Sequence, residues 1–265
     1  NIGQYRNLRE SLILAKGKYI AYCEGDDFWI DKNKLQKQFD FLEKNPVTSL
    51  VWTDVDVYHQ KSGSYQRGIF ENHVLKRYES FEEILLKKPF LAPSTWMFRC
   101  EVADMFHQQS REVVDGTFPL VLDLIVKDGI SYMPFVSARY TKRIESASNS
   151  QSYFKKHAFS KGVFRLQTEY ASKYNVDRRT INELNQGYYK SSWIYAFLSE
   201  DGNTLKDAEL FYETTDTLKI KKNMVVFVIK FLRYSLNYRF LKKLMKILVA
   251  LTFQLYHFLR GNRLG

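Results

Sequence analysis

The stretch that decides the fold is residues 17–46, GKYIAYCEGDDFWIDKNKLQKQFDFLEKNP. Its apolar run over residues 19–23 follows a glycine and predicts a short buried strand. That run ends at a turn with three carboxylates, Glu24, Asp26 and Asp27. A helix is predicted over residues 32–44, and its buried side is expected to carry Leu35, Phe39 and Leu42.

The flanking segments continue this alternation of helices and strands. Helices are predicted over residues 4–15, 80–88 and 101–109, and strands over residues 49–58, 94–99, 130–133 and 136–140. The pattern predicts an α/β fold, with a mixed sheet flanked by helices. Ligands of such folds bind beyond the carboxyl ends of parallel strands, so the acidic turn lies where chemistry is expected.

The composition is typical of a folded protein. The chain has 265 residues, of which 45% are apolar and 26% charged, and this excludes a collagen-like or low-complexity chain. Two cysteines, Cys23 and Cys100, are too few for a disulfide framework and fit a reducing compartment. The five histidines lie far apart in the sequence, which does not indicate a metal site.

The charge is distributed unevenly along the chain. The net charge of +11 belongs to residues 217–265, which hold 11 basic and no acidic side chains, whereas residues 1–216 are neutral overall. From about residue 151 the pattern becomes helical and rich in aromatic residues. We therefore predict three regions, over residues 1–150, 151–216 and 217–265. A neutral body without a recognisable binding motif argues against a nucleic-acid partner.

The basic tail is predicted to contain an amphipathic helix. Its cationic side carries Arg239, Lys242, Lys243 and Lys246, and its apolar side carries Phe240, Leu244, Ile247, Leu248, Leu251, Leu255 and Phe258. The longest uncharged run has 13 residues, whereas a membrane-spanning helix needs about 20. The tail is thus expected to lie on an anionic membrane surface. The alternative is a terminal helix that packs on the rest of the protein.

The acidic turn could hold a divalent cation. Mg²⁺ and Mn²⁺ prefer oxygen ligands and are often shared between carboxylates and substrate phosphates. Glu24 and Asp26 are two residues apart, so they would share a face of an extended strand. The alternative is a solvated turn in which Asp27 or Asp31 caps the following helix.

Residues 17–46 also resemble the central motif of family 2 glycosyltransferases, which have the GT-A fold. That family shows a strand, a D/E-x-D-D turn, an aromatic pair and a K-L-x-x-Q helix. The matching positions are Gly17, Tyr19, Ile20, Ala21, Glu24, Asp26, Asp27, Trp29, Lys34, Leu35, Gln38, Phe41 and Leu42. The chain is similar to the subgroup with Glu at the first acidic position, and the resemblance covers about residues 1–150.

The resemblance implies roles for residues on both sides of this motif. Arg6 and Asn7 occupy positions that belong to the donor site in the family, and Trp29 is expected to line that site. Asp115 occupies the position of the general base, although a helix N-cap is the alternative role for it. Where the family has an arginine the chain has Thr141, followed by Lys142 and Arg143, so it stays open which cation meets a diphosphate.

The implied activity is inverting transfer of a sugar from a nucleotide-sugar donor to a saccharide or lipid-linked acceptor. It implies Mg²⁺ or Mn²⁺ as cofactor, held by Asp26 with Glu24 and Asp27. The expected setting is the synthesis of a bacterial surface polysaccharide, such as a capsule, O-antigen or exopolysaccharide. The expected location is cytoplasmic, peripheral to the inner face of the cell membrane.

Compared with typical members of that family, the sequence begins about 70–80 residues further along the domain, which is roughly half a domain. It is therefore expected to lack the front half that binds the nucleotide. This chain alone is therefore expected to bind a sugar nucleotide weakly or not at all. The same observation leaves an alternative function open, in which a catalytically silent, truncated glycosyltransferase-like protein serves as a membrane-bound scaffold.

Overall fold

The computed structural model describes residues 4–108, 115–127, 129–143, 152–214 and 219–261. They form two compact units. The first unit consists of Asn1–Ser146 and Arg165–Thr180, and the second of Ala147–Phe164 and Ile181–Gly265.

The first unit contains the sheet. Its strands are β1 (Tyr19–Ala21), β2 (Phe28–Trp29), β3 (Leu50–His59), β4 (Ser64–Gln66), β5 (Met97–Arg99) and β6 (Ile130–Lys142). Its helices are α1 (Gln4–Leu14), α2 (Lys34–Lys44), α3 (Phe81–Lys87), α4 (Glu101–Gln108) and α5 (Thr117–Ile125), followed by the second half of α6 (Tyr153–Lys173).

The described strands make one mixed sheet in the order β1-β5-β3-β6-β2, with β4 paired to β3. β3 and β6 are parallel, whereas β5 runs antiparallel to both β1 and β3. It follows that β1, β3 and β6 all point the same way, so their carboxyl ends lie at one edge of the sheet. The predicted α/β class, with a mixed sheet, flanking helices and a helical C-terminal region, is confirmed.

Three predicted strands have different bounds in the structure. The segments 130–133 and 136–140 form the single strand β6, and the residues between them, which include Pro134, are accommodated by an irregularity opposite Thr53 and Asp54 of β3. The predicted strand over residues 94–99 is a 3₁₀ turn, Pro93–Thr95, followed by β5. Pro93 favours such a turn because it fixes its own φ and has no N–H to donate.

The buried side of α2 also differs from the prediction. Leu42 is buried as predicted, but Leu35 and Phe39 are exposed, and Lys34 and Gln38 are buried in their place. The prediction was wrong because hydrophobic periodicity treats a lysine and a glutamine as surface residues. Both side chains are hydrogen-bonded inside the first unit, which offsets the cost of removing them from water.

Polar contacts fix two helices of the first unit. The guanidinium of Arg99 donates to the carbonyl of Thr48 at 2.9 Å and to that of Leu42 at 2.7 Å, so it ties the end of α2 to β5. The carboxylate of Asp123 in α5 accepts hydrogen bonds from the α6 side chains Tyr170 and Lys173 and from Tyr174.

The second unit is helical. It contains most of α7 (Arg178–Leu198), together with α8 (Gly202–Thr214), α9 (Lys219–Ser235) and α10 (Arg239–Gly261). Its core consists of Ala196, Phe197, Leu205, Ala208, Ile229 and Leu232. The basic tail thus forms two helices, α9 and α10, where the sequence predicted one. Over the described residues, none of the helices combines the length and the apolar character that crossing a bilayer requires.

A buried carboxylate in β3 anchors the loop that follows β4. Asp54 is fully buried and accepts hydrogen bonds from three backbone N–H groups, those of Val55 at 2.7 Å and of Phe70 and Glu71 at 3.0 Å each. Gly68 in the same loop has a φ of +49°, and a Cβ there would lie 3.1 Å from Asp54 Oδ2. The loop therefore packs directly on this carboxylate.

We expect Asp54→Ala to lower the free energy of unfolding by about 3–5 kcal/mol, because it removes the acceptor of three backbone hydrogen bonds, two of which are buried. Chemical denaturation measures this change. Asp56→Ala is the matched control, since Asp56 lies on the same strand and its carboxylate accepts one hydrogen bond among the described residues, from Gly68 N; it should cost about 1 kcal/mol. Equal losses in the two variants would contradict the anchoring role of Asp54.

Candidate functional site

The acidic turn lies where β1 ends, at the edge that the carboxyl ends of β3 and β6 share. The N–H of Asp27 donates to the carbonyl of Glu24 at 3.1 Å and closes the turn. β2 follows and pairs with β6, with Phe28 opposite Arg139. The 3₁₀ turn Pro93–Thr95 also contacts this region, because Trp29 Nε1 donates to the carbonyl of Ser94 at 2.9 Å.

Asp27 is the buried member of the acidic turn. Its Oδ1 accepts a hydrogen bond from Thr141 N at 2.9 Å. Its Oδ2 and the Oγ of Ser94 are both buried, and neither has a hydrogen-bond partner among the described residues. Burial raises the pKa of Asp27, while the Thr141 N–H and the nearby Ser94 hydroxyl act in the opposite direction. One carboxylate oxygen is thus held by β6, and the other is buried near the Ser94 hydroxyl.

Asp26 forms an ion pair with Arg143. Arg143 Nε lies 2.9 Å from Asp26 Oδ2, and both side chains are partly exposed. The sequence left open which residue replaces the family arginine at position 141. In the structure Thr141 donates its backbone N–H to Asp27, and the guanidinium of Arg143 pairs with Asp26.

The carboxylate oxygens of this turn are ligands that a hard divalent cation prefers, but the three side chains do not converge on a common point. Among the described residues there is no group of three or more His, Cys, Asp or Glu side chains that could hold a metal ion. The unpartnered Oδ2 of Asp27 is a suitable oxygen ligand, and Asp26 and Glu24 belong to the same turn. Asp26 Oδ2 is held by Arg143, so this oxygen could join such a site only after the ion pair opens.

Two buried polar residues of α2 bind the backbone of the 3₁₀ turn and of the residue that follows it. The sequence pattern predicted no role for either. Lys34 Nζ donates to Gln38 Oε1 at 2.6 Å and to the carbonyl of Trp96 at 3.5 Å, and Gln38 Nε2 donates to the carbonyl of Thr95 at 2.7 Å. Burial lowers the pKa of Lys34 to about 8. Their spacing of four residues on one helix face was the available signal.

One face of the Trp29 ring lies against Lys34, and the residue is otherwise partly exposed. Its ring centroid lies 4.7 Å from Lys34 Nζ, and the residue is 39% exposed. Ser94, Thr95 and Trp96 are buried, as expected for core residues. Trp29 is therefore one aromatic side chain near the acidic turn that a ligand could reach, and its neighbour Phe28 is also exposed.

Asp115 caps a helix and binds a lysine. Its Oδ1 accepts from the backbone N–H groups of Thr117 at 3.1 Å and Phe118 at 3.2 Å, at the start of α5. Its Oδ2 lies 2.7 Å from Lys88 Nζ. Burial raises the pKa of Asp115, but Lys88 and the hydrogen bonds from Thr117 and Phe118 outweigh it and hold the pKa below its usual value. The N-cap alternative thus describes the observed geometry.

Arg6 and Asn7 lie on the exposed side of α1. Arg6 Nε is 4.0 Å from Glu10 Oε1, one turn along the helix, and the carbonyl of Asn7 accepts from Ser11 Oγ at 2.8 Å. The contacts that the structure describes for these two residues thus lie within α1, and they do not join the acidic turn.

Comparison with known proteins identifies the same region. Residues 1–106 match a family model described as "Glycosyl transferase family 2". The matched part includes the acidic turn, β2 and the buried face of α2, and it ends before Asp115. The match shows that this part of the chain is similar to family 2 glycosyltransferases.

Curated relatives share a shorter stretch. Over 60 residues the chain is 42% identical to "Uncharacterized protein Rv1520" of Mycobacterium tuberculosis and to "Uncharacterized protein Mb1547" of Mycobacterium bovis. The aligned stretch is 23% of this chain and spans only 17% of the length of each relative.

Burial of Lys34 predicts a pH-dependent stability. Its folded pKa of about 8 lies below the unfolded value of 10.5, so the cost of burying the charge is fully present below pH 8. That cost is lost as the pH rises from about 8 to 10.5, because the folded state releases the proton first. Relative to Lys34→Met, the wild-type chain should gain up to about 3 kcal/mol over this range.

Urea denaturation at several pH values measures this gain. Lys37→Met is the matched control, because Lys37 lies on the exposed side of α2 and pairs with Asp31; it should follow the pH dependence of the wild type. A difference between wild type and Lys34→Met that does not change with pH would be inconsistent with a buried, titrating Lys34.

Proposed function

We propose that this chain carries part of the catalytic machinery of an inverting family 2 glycosyltransferase. Its substrates would be a nucleotide-sugar donor and a saccharide or lipid-linked acceptor. The observation that carries the proposal is the acidic turn at the carboxyl edge of three parallel strands, inside the segment that matches the family model.

The proposed cofactor is Mg²⁺ or Mn²⁺, held by Asp26 and Asp27 with Glu24. When bound, such a cation neutralises the negative charge that develops on the departing diphosphate. The support for it is the set of carboxylate oxygens in this turn, which includes the buried Oδ2 of Asp27. Arg143, once released from Asp26, is the cation of the chain that is placed to bind a phosphate oxygen.

Two further residues have proposed roles in the transfer. Trp29 offers a partly exposed aromatic face on which a sugar ring or a base could lie. Asp115 is the proposed general base, which would accept the proton of the acceptor hydroxyl as that oxygen attacks the anomeric carbon. It could do so through Oδ2, after separation from Lys88, while Oδ1 continues to cap α5.

We further propose hexosyl transfer in the synthesis of a bacterial surface polysaccharide, on the cytoplasmic face of the cell membrane. The basic tail supports this location, since an enzyme with a lipid-linked acceptor benefits from residence at an anionic bilayer surface. The test of the function uses the complete encoded protein and a panel of nucleotide sugars. Metal-dependent release of the nucleoside diphosphate on addition of acceptor is the expected result.

A second candidate is a catalytically silent scaffold. The observation that favours it is the pairing of both acidic centres with cations of the chain itself, Asp26 with Arg143 and Asp115 with Lys88. If the complete protein releases no diphosphate from any donor of the panel, with or without metal, the scaffold is the better description.

The ion pair between Asp26 and Arg143 predicts competition with a metal ion. Arg143→Gln should strengthen Mn²⁺ binding about two- to tenfold, because it frees a carboxylate and removes a positive charge beside the turn. Titration with Mn²⁺, followed by electron paramagnetic resonance, measures the affinity. Lys142→Gln removes the neighbouring positive charge and leaves the pair intact. Equal changes in the two variants would show that Arg143 does not compete for Asp26.

The two proposed roles of Asp115 can be separated by Asp115→Asn. Asparagine keeps an oxygen for the cap but cannot accept a proton, so the helix should persist and turnover should fall at least about a hundredfold. Rates of diphosphate release by the complete protein measure the effect. Asp123→Asn is the matched control on the same helix, since Asp123 binds side chains of α6 and has no proposed part in catalysis. Near wild-type turnover in Asp115→Asn would leave Asp115 a structural cap.

A further inference from the structure

The outer surface of α10 is an apolar stripe. It consists of Phe240, Leu244, Ile247, Leu248 and Leu251, which follow one another at helical spacing and are all exposed. Phe240 is the most open of them, with 82% of its surface exposed. Side chains of this size at consecutive turns make a continuous apolar patch, and such patches mark contact sites.

The opposite side of α10 faces the core of the second unit. Met245 and Val249 pack against the cluster that contains Ile229 and Leu232. Lys242 and Lys246 lie on this side too, and their Nζ atoms are 2.9 Å and 2.6 Å from the carboxylate oxygens of Glu200. The orientation of α10 is therefore fixed by both apolar packing and two ion pairs, and it leaves the stripe outside.

This arrangement changes the role of the tail's cations. Lys242 and Lys246 are bound to Glu200, and Lys230 and Arg233 of α9 are bound to Glu209. Arg239 and Lys243 are exposed and form no ion pair within the described part of the chain. Lys243 lies one turn from both Phe240 and Ile247, so it is at the border of the stripe.

We propose that the stripe of α10 is a membrane-contact surface, which inserts its apolar side chains into the interfacial layer of an anionic bilayer. Arg239 and Lys243 would lie at the level of the lipid headgroups, whereas Lys242 and Lys246 stay within the protein. This deepens the peripheral-membrane part of the proposed function and names the surface responsible for it. It does not depend on the transfer chemistry.

Charge distinguishes a bilayer from a second copy of the chain as the occupant. The stripe is bordered by positive side chains, and residues 217–265 contain no acidic residue. Two such stripes brought together would place like charges next to each other, whereas an anionic lipid surface attracts them. An amphipathic helix too short in apolar length to span a membrane can lie in the interface in this way.

The test is co-flotation of the 265-residue chain with vesicles of phosphatidylcholine that contain about one-third phosphatidylserine. The wild type should float, and Leu244→Glu/Leu248→Glu should lower the bound fraction at least about tenfold. Lys242→Gln/Lys246→Gln is the matched control on the inner side of the same helix and should change binding less than about twofold. Arg239→Gln/Lys243→Gln should weaken binding to these vesicles and not to pure phosphatidylcholine.

Circular dichroism of each variant checks that the helices persist. If the glutamate pair disturbs folding, Phe240→Ser replaces it, because this side chain is the most exposed of the stripe. The proposal is overturned if the wild type does not float, if the stripe variants float as well as the wild type, or if sedimentation shows a dimer that these variants dissociate. Flotation is measured without sugar nucleotide, so its outcome is independent of any failure to transfer a sugar.

Discussion

The arrangement of the first unit depends on two hydrogen bonds that buried side chains of α2 donate to a short stretch of backbone. Gln38 binds the carbonyl of Thr95, and Lys34 binds that of Trp96. The carbonyls of the same stretch also accept hydrogen bonds from Tyr22 N, just after β1, and from Trp29 Nε1 of β2. Both strands that border the acidic turn are thus fixed to one backbone segment. Without Gln38, the carbonyl of buried Thr95 would lose this donor, which costs more than an ordinary surface hydrogen bond returns, whereas the carbonyl of Trp96 would keep Tyr22 N.

The second constraint is electrostatic. Three carboxylates within four residues repel one another, and burial of Asp27 adds a desolvation cost. The fold compensates locally, with a backbone N–H for Asp27 and a guanidinium for Asp26. The effect of the turn extends to its neighbours, because burial and then the nearby carboxylates raise the pKa of Tyr140. A site with this excess of negative charge is suited to a cation, and Arg143 is the cation that the chain itself supplies.

Hydrophobic periodicity predicted the order of helices and strands, and the strand that ends in the acidic turn, because both depend on which segments can bury an apolar face. It assigned the wrong face to α2, since Lys34 and Gln38 are buried through hydrogen bonds to a segment some sixty residues away. The same limit applies to α10. The sequence separates its cations from its apolar side chains, but only the position of Glu200 shows that Lys242 and Lys246 face inward. Polar burial is determined by tertiary partners, which a pattern within one helix does not contain.

Asp115 shows why a structural contact and a catalytic role need not exclude each other. Its two oxygens have different partners, since Oδ1 caps α5 and Oδ2 binds Lys88. The lowered pKa keeps the carboxylate ionised at neutral pH, which a base requires, but it also reduces the driving force for taking a proton. Removal of the ammonium of Lys88 would raise that pKa towards the value of an effective base. If Asp115 is the base that we propose, an acceptor that displaces Lys88 from Oδ2 would both position its own hydroxyl and strengthen that base.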